Sequence, residues 1–344
     1  MGRALSKLCL YGTVLNSADT VERSIRSVFR PDADIVITDG GSTDGTYERL
    51  LEISKDYNLR VYRAPGSSRG LGRQLALIRC PEGSYTVPIL DLDKEYNVYF
   101  HKSIDWGMGT GSPRPLPGHG LREYVLSRGG WRDINYGEDY EFWARVEFDN
   151  SLPLVTTVQI RKMEFRSFAE YELRRYARGL WSSLRRTLRH EVDIIRGYGY
   201  TLSEYLQEPA FKRRPYLKPA ALLVYGIARL KGVYRYDRRL NNHDLVIYNM
   251  LQRIRDPVKE LGADESYAAM VIPYDAALHI GLSWAAERLR SAGLRPYLCE
   301  RTRGMALVGM RSLSAIDVIN ESVYLKLVHC EPLEEVGEGR PGPS

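Results

Sequence analysis

Along the first third of the chain, short apolar runs alternate with stretches whose apolar residues recur every three or four positions. These are the signatures of buried strands and amphipathic helices. Strands are expected over 8–15, 34–38, 59–63 and 85–92, and helices over 19–29, 43–57 and 71–79. Ser17 and Asp19 can cap the first of these helices, because their side-chain oxygens accept from the free N–H groups of a first turn. Strands alternating with helices at this spacing imply an α/β unit, a mostly parallel sheet with helices on both faces.

Past residue 100 the pattern dissolves. The stretch 101–120 contains Gly107-Met-Gly-Thr-Gly-Ser-Pro-Arg-Pro-Leu-Pro-Gly-His-Gly120, and a glycine- and proline-rich run of this length is expected to be a functional loop. Periodicity returns as helices over 121–127 and 138–148, with a turn at Gly129-Gly-Trp131 between them and a strand over 154–160. Over 165–189, Ala169, Leu173, Tyr176, Leu180, Leu184 and Leu188 share a helical face while arginines fill much of the rest, which predicts a basic amphipathic helix. Further helices are expected over 219–234 and 245–254. Residues 268–328 suggest a βαββαβ order, a split arrangement. The expected division is 1–164 as an α/β domain, 165–243 as a basic helical segment, 244–335 as a small α/β domain, and 336–344 as a disordered tail.

Composition narrows the class. With 344 residues, 44% hydrophobic and 27% charged, the chain reads as globular and large enough for two domains. The most apolar later stretch, 220–230, falls well short of the roughly 20 residues that span a bilayer. A net charge of +6 permits phosphate-bearing ligands, anionic lipid or nucleic acid and demands none of them. Cys9, Cys80, Cys299 and Cys330 lie far apart with no Cys-x-x-Cys pair, so neither a disulfide framework nor a zinc site is expected and a reducing cytosol fits best. The first residues run straight into a strand without an apolar signal core, which also suits a cytoplasmic protein.

Two strand ends carry the candidate chemistry. Asp39 stands in Ile37-Thr-Asp-Gly-Gly-Ser-Thr-Asp-Gly-Thr46, and Asp91 and Asp93 follow the apolar run 85–90. In an open α/β sheet the carboxyl ends of the strands form the ligand crevice, so acids there suit a nucleoside diphosphate that arrives with Mg²⁺ or Mn²⁺. Asp44 reads as turn and cap chemistry. The histidines have no metal-ligand spacing, and only His119, in the glycine-rich loop, is a candidate ligand or acceptor contact.

Thr13-Val-Leu-Asn16, Ile37–Thr46, Gly70-Leu-Gly-Arg-Gln-Leu-Ala76 and Leu90-Asp-Leu-Asp93 look like successive blocks of family 2 glycosyltransferases with the GT-A fold, which is Rossmann-like. Gly129-Gly-Trp-Arg-Asp-Ile-Asn-Tyr-Gly-Glu-Asp139 is similar to that family's acceptor-side block. The resemblance covers roughly residues 1–160. It implies that Thr13, Leu15, Asn16, Arg73 and Leu92 lie at the donor, that Asp39 contacts its base and that Asp91 contacts its ribose. It implies further that Asp93, with Asp91, holds the divalent ion, that Asp139 is the general base, and that Trp131, Arg132 and Glu138 lie on the acceptor side. The sequence departs from the commonest family pattern at Gly40 and Lys94, where acids are frequent, and lacks the Gln-x-x-Arg-Trp motif of processive polymerases.

The resulting expectation is an inverting, metal-dependent transferase that moves a sugar from a UDP- or GDP-sugar to a hydroxyl acceptor, either a glycan or a lipid-linked group. The basic helix over 165–189 packs on the catalytic domain or lies on an anionic membrane face; no nucleic-acid signature accompanies it. A non-catalytic nucleotide-sugar-binding or scaffold protein using that helix at a membrane is the alternative.

Overall fold

In β1 (Leu8–Val14), nearly every side chain is buried, because the strand lies at the centre of a sheet covered on both faces. Successive side chains point to opposite faces. Leu8 and Leu10 therefore join one core with Ile35 and Ile37, while Cys9 and Tyr11 join another with Val36 and Trp131. The computed structural model describes residues 7–160, 179–207, 211, 215–234, 242–302, 304–323 and 326–334.

The chain alternates as expected through α1 (Val21–Val28), β2 (Ala33–Asp39), α2 (Thr46–Ile53), β3 (Leu59–Arg63), α3 (Arg69–Leu77) and β4 (Tyr85–Ile89). The five-stranded sheet has the order β3-β2-β1-β4-β6, with β6 (Gly120–Leu121) antiparallel to β4 and the other pairs parallel. Since β1 has β2 on one side and β4 on the other, the strand order reverses at β1. The crevice at the carboxyl ends of β1 and β4 is the point where such sheets bind ligands.

Between β4 and β6 lie β5 (Lys94–Tyr96) and α4 (Val98–Gly109). The helix replaces half of the loop expected over 101–120. Asn97 caps it by accepting from the Tyr99 N–H at 2.9 Å, and Phe100 and Ile104 enter the core. Gly107 does not break this helix: a Cβ there would stand 2.3 Å from the Tyr85 hydroxyl, so the glycine serves close packing. Next come α5 (Arg122–Ser127), α6 (Glu138–Arg145) and β7 (Thr157–Gln159), a shorter strand than expected, which pairs antiparallel with β5.

The expected basic helix lies partly outside the described residues, which omit 161–178. Its described continuation, α7 (Leu180–Tyr198), runs past the expected end at 189 and stops at Gly199, whose φ of 69° suits a glycine C-cap. With α8 (Leu202–Leu206) and α9 (Lys218–Leu230), it builds a separate small core around Val192, Ile195, Tyr205 and Val224. No described helix is long and apolar enough to cross a membrane.

The carboxyl-terminal part comprises α10 (Asn242–Gln252), α11 (Pro257–Leu261), β8 (Ala269–Pro273), α12 (Tyr274–Ile280), α13 (Leu282–Ser291), β9 (Arg295–Arg301), β10 (Met305–Met310), α14 (Ala315–Ser322) and β11 (Leu327–Pro332). Its sheet is antiparallel, in the order β11-β9-β10-β8. The expected βαββαβ order is present, with two helices in the first crossover. The β9–β10 hairpin sits centrally, so β8 and β9 flank β10 while β10 and β11 flank β9.

The cysteine expectation is corrected. Cys9 of β1 bonds Cys80 just after α3, and Cys299 bonds Cys330 directly across the β9–β11 pair. Linear spacing hid both pairs, since each partner sits on a neighbouring element that is distant in sequence. With all four thiols paired, cysteine usage no longer argues for a reducing compartment. Cys9 and Cys80 are 71 positions apart, for which loop-closure entropy gives about 4 kcal/mol. Cys80→Ala is expected to lower the unfolding free energy by ~2–5 kcal/mol in non-reducing denaturant titrations. An unchanged midpoint, with Cys9 alkylated in the native wild type, would refute the bond.

Candidate functional site

The loop after β1 and the loop after β2 are tied together. Asn16 has a φ of 53°, a left-handed conformation that Asn tolerates better than most residues. Its side chain accepts from the Thr43 N–H at 2.9 Å, and its own N–H donates to the Ser42 hydroxyl at 2.9 Å. Asp39 is fully buried beneath this junction. Its Oδ1 accepts from the N–H groups of Gly41 and Ser42, each at 2.9 Å, whereas Oδ2 has no hydrogen-bond partner. Asp44 accepts from Thr46 and Ala18; burial pushes its carboxyl up, but these bonds bring it below the usual range.

A cavity of about 440 Å³ opens at the carboxyl ends of β1 and β4. Thr13, Leu15, Arg73, Asp91, Leu92 and Asp93 line it, so six of the sequence candidates converge there. Asn16 and Asp39 do not line it; they shape the loops that do. The Gly70-Leu-Gly-Arg73 block is explained by close approach. A Cβ at Gly70 would stand 1.9 Å from the Arg132 carbonyl oxygen, and one at Gly72 would stand 2.2 Å from Thr13 Oγ1. The first turn of α3 can therefore press against both and deliver Arg73 under the crevice.

Arg73 is 3% exposed. It donates to Glu138 Oε1 and to the Leu90 carbonyl, both at 2.6 Å, and its guanidinium lies 4.9 Å from the centre of the Trp131 ring. Burial pushes the Glu138 carboxyl up; Arg73 opposes this, and the charge of Asp139 adds to it. Trp131 is itself 3% exposed, stacked on Phe142 at 4.0 Å and donating to the Tyr11 hydroxyl at 2.9 Å. Trp131 and Glu138, expected on the acceptor side, thus support Arg73 from below and have little surface to offer a ligand. Arg132 stands over the Tyr234 ring with its Nε 4.0 Å from Glu141.

Asp139 follows Glu138 in the first turn of α6 and does not line the cavity. Its Oδ1 accepts from the Tyr140 N–H at 2.9 Å. Its charge also reaches the phenols of Tyr140 and Tyr198, which burial pushes up and Asp139 pushes further. The helical segment therefore meets the candidate base through Tyr198 of α7.

Asp91 pairs with Lys94 at 2.8 Å. Burial pushes its carboxyl up, but Lys94, with Arg73 and Arg69 beyond it, holds it below the usual range. Among the described residues no group of three or more His, Cys, Asp or Glu side chains is placed to hold a metal ion. Two adjacent carboxylates suit only a hard cation that takes its remaining oxygens from a ligand's phosphates and water, as Mg²⁺ does. The donor set fits such a shared ion.

Sequence reasoning missed Ser68, Asn135, Tyr136 and Arg189 on the cavity wall. Arg189 comes from α7, whose periodicity gave no sign that one of its many arginines turns toward the sheet. Among the described residues, neither Arg69 nor Arg189 has a salt-bridge or side-chain hydrogen-bond partner, whereas Arg73 and Lys94 are paired with Glu138 and Asp91.

Residues 13–96 match the family model described as Glycosyl transferase family 2. Over that span the resemblance is borne out; the Gly129–Asp139 block lies beyond it. No curated protein matches the chain. Among solved structures, TarS 1-349 of S. aureus in complex with UDP-GlcNAc is 14% identical at a TM-score of 0.40, covering 71% of this chain and 84% of that one. The mannosyltransferase PcManGT of Pyrobaculum calidifontis, in complex with GDP-Man and Mn²⁺, is 14% identical at a TM-score of 0.40, covering 67% and 77%.

Proposed function

We propose that the protein is an inverting glycosyltransferase that uses Mg²⁺ or Mn²⁺ to pass a sugar from a UDP- or GDP-sugar to a hydroxyl acceptor. The observation that carries this reading is the cavity at the carboxyl ends of β1 and β4, which gathers Asp91, Asp93, Arg69 and Arg189. Thr13, Leu15 and the loops braced by Asn16 and Asp39 hold the nucleoside, with Asp91 at the ribose. Asp93, with Asp91, would hold the ion, which when bound supplies Lewis-acid stabilisation of the diphosphate. Arg69 and Arg189 face the same charge directly. Fixed cations at the place where charge develops stabilise the transition state without reorganising.

Transfer breaks the bond between the anomeric carbon and the phosphate oxygen, whose electron pair leaves with the diphosphate. The acceptor oxygen forms the new bond from the opposite face, and its proton passes to the Asp139 carboxylate. Leu184, Leu222, Leu223 and Leu230 are exposed on the helical segment beside Arg185, Arg229 and Lys231. This mixture of apolar and basic surface supports peripheral membrane contact through that segment.

Calorimetric titration of UDP and GDP, with Mn²⁺ and with EDTA, tests the site. Failure of every nucleoside diphosphate to bind would refute it, and binding without sugar hydrolysis or transfer would favour a scaffold. Arg189→Ala is expected to weaken the bound diphosphate about tenfold, or ~1.4 kcal/mol, while leaving the affinity for the bare nucleoside unchanged.

A further inference from the structure

A second cavity, of about 290 Å³, lies on the other side of the β4 strand end. Leu90 and Asp91 line both cavities and so form the partition between them. The far wall brings together His119 from the glycine- and proline-rich loop, Trp143 from α6, and Ser151. Each presents a buried polar atom without a hydrogen-bond partner: His119 Nδ1, Trp143 Nε1 and Ser151 Oγ. Ser151 is 1% exposed. Buried polar groups are almost always satisfied, and leaving one unpaired costs about 1–3 kcal/mol. Three around one small cavity point to a ligand that completes them.

The walls also define what that ligand is. Phe100, Leu116 and Met250 supply apolar surface, as ligand pockets commonly do around a few orienting polar groups. Lys94, the cation that lines this cavity, is paired with Asp91. Burial pushes His119 down to about 4, so the ring is neutral at physiological pH. A cavity with apolar faces, neutral hydrogen-bonding groups and no spare charge suits an uncharged ring bearing hydroxyls. It does not suit a phosphate.

We propose that this second cavity seats a neutral sugar unit of the acceptor, with His119, Trp143 and Ser151 bonding its hydroxyls. The proposal rests on the transfer reading above and names its acceptor class as a saccharide. Trp143 follows Asp139 by one helical turn, so the two share a face of α6, and the helix that carries the candidate base also supplies part of this cavity's wall. The partition at Asp91 then separates donor from acceptor, and the reacting hydroxyl enters over it.

The test uses the full-length protein saturated with UDP or GDP and a panel of methyl α- and β-glycosides of glucose, galactose, mannose and N-acetylglucosamine. Saturation-transfer NMR reads contact, and titration reads affinity. At least one glycoside should bind with a dissociation constant of roughly 1–10 mM without displacing the nucleotide. Trp143→Phe, which keeps the ring but removes the donor, and Ser151→Ala should each weaken it at least fivefold while nucleotide affinity stays unchanged. Absence of glycoside binding while the nucleotide still binds would overturn the proposal and leave the cavity to ordered water. Displacement of the nucleotide by the glycoside, or glycoside affinity in both variants unchanged from the wild type, would also overturn it. Loss of nucleotide binding in the wild type would instead sink the transfer reading itself.

Discussion

Replacing Asp139 by Asn is expected to lower the transfer rate by about 10²–10⁴-fold, the usual worth of a positioned proton acceptor. Nucleoside-diphosphate affinity and melting temperature should not move, because Asp139 lies outside the donor cavity and its Oδ1 accepts only a local backbone N–H. Asn retains that acceptor oxygen and the shape of the side chain, so the variant removes the charge and little else. Asp93→Asn provides the contrast. Its carboxylate lines the donor cavity, and its loss should weaken nucleotide binding in Mn²⁺ more than in EDTA. The bland account of Asp139 is an acid in the first turn of a helix, worth ~0.3–1 kcal/mol of stability. Steady-state rates with melting curves separate the two: full activity with a lower melting temperature would support the bland account and remove Asp139 from the chemistry.

The part of the fold that was legible is the part in which local pattern and burial coincide. β1, β2 and β4 read correctly because central parallel strands are apolar on both faces and their intervening helices carry one apolar stripe. Where glycine served packing, local pattern misled: Gly107 read as a breaker, although it packs against Tyr85 inside a helix that Asn97 caps and that runs on to Gly109. Element order in the carboxyl-terminal part was legible, but the position of the β9–β10 hairpin was not, since strand order is set by contacts between distant segments. The disulfides were hidden for the same reason. In the site, the acids at the strand ends were visible because a carboxylate after an apolar run is locally anomalous. Trp131 carried no sign of its burial, and Arg189 was one arginine among many in a basic helix. The three unpaired atoms of the second cavity come from 119, 143 and 151, and only folding makes them neighbours.

Arg73→Met is expected to cost about 3–5 kcal/mol of stability, because it leaves Glu138 buried without its counter-charge. Glu138 is 4% exposed and has Asp139 beside it, so water cannot take over the role of the guanidinium. Removing both charges in Arg73→Met/Glu138→Leu should recover most of the loss, since a buried ion pair replaced by apolar groups of similar volume is often neutral. The pH dependence has a definite sign. Burial already holds the Glu138 carboxyl above the usual carboxylate range, and without Arg73 it rises further. A raised folded-state pKa favours the protonated form, so the deficit of the single variant is smallest below the unfolded-state value and grows as pH rises through the folded-state value. Denaturant unfolding at about pH 4 and pH 8 should therefore give a smaller loss in acid, and a pH-independent loss would mean that Glu138 is not held charged by Arg73. The double variant separates stability from function. Arg73 also donates to the Leu90 carbonyl, which fixes the strand end shared by both cavities. A protein that regains its stability but not its nucleotide affinity would show that Arg73 acts through the position of Asp91 as well as through Glu138.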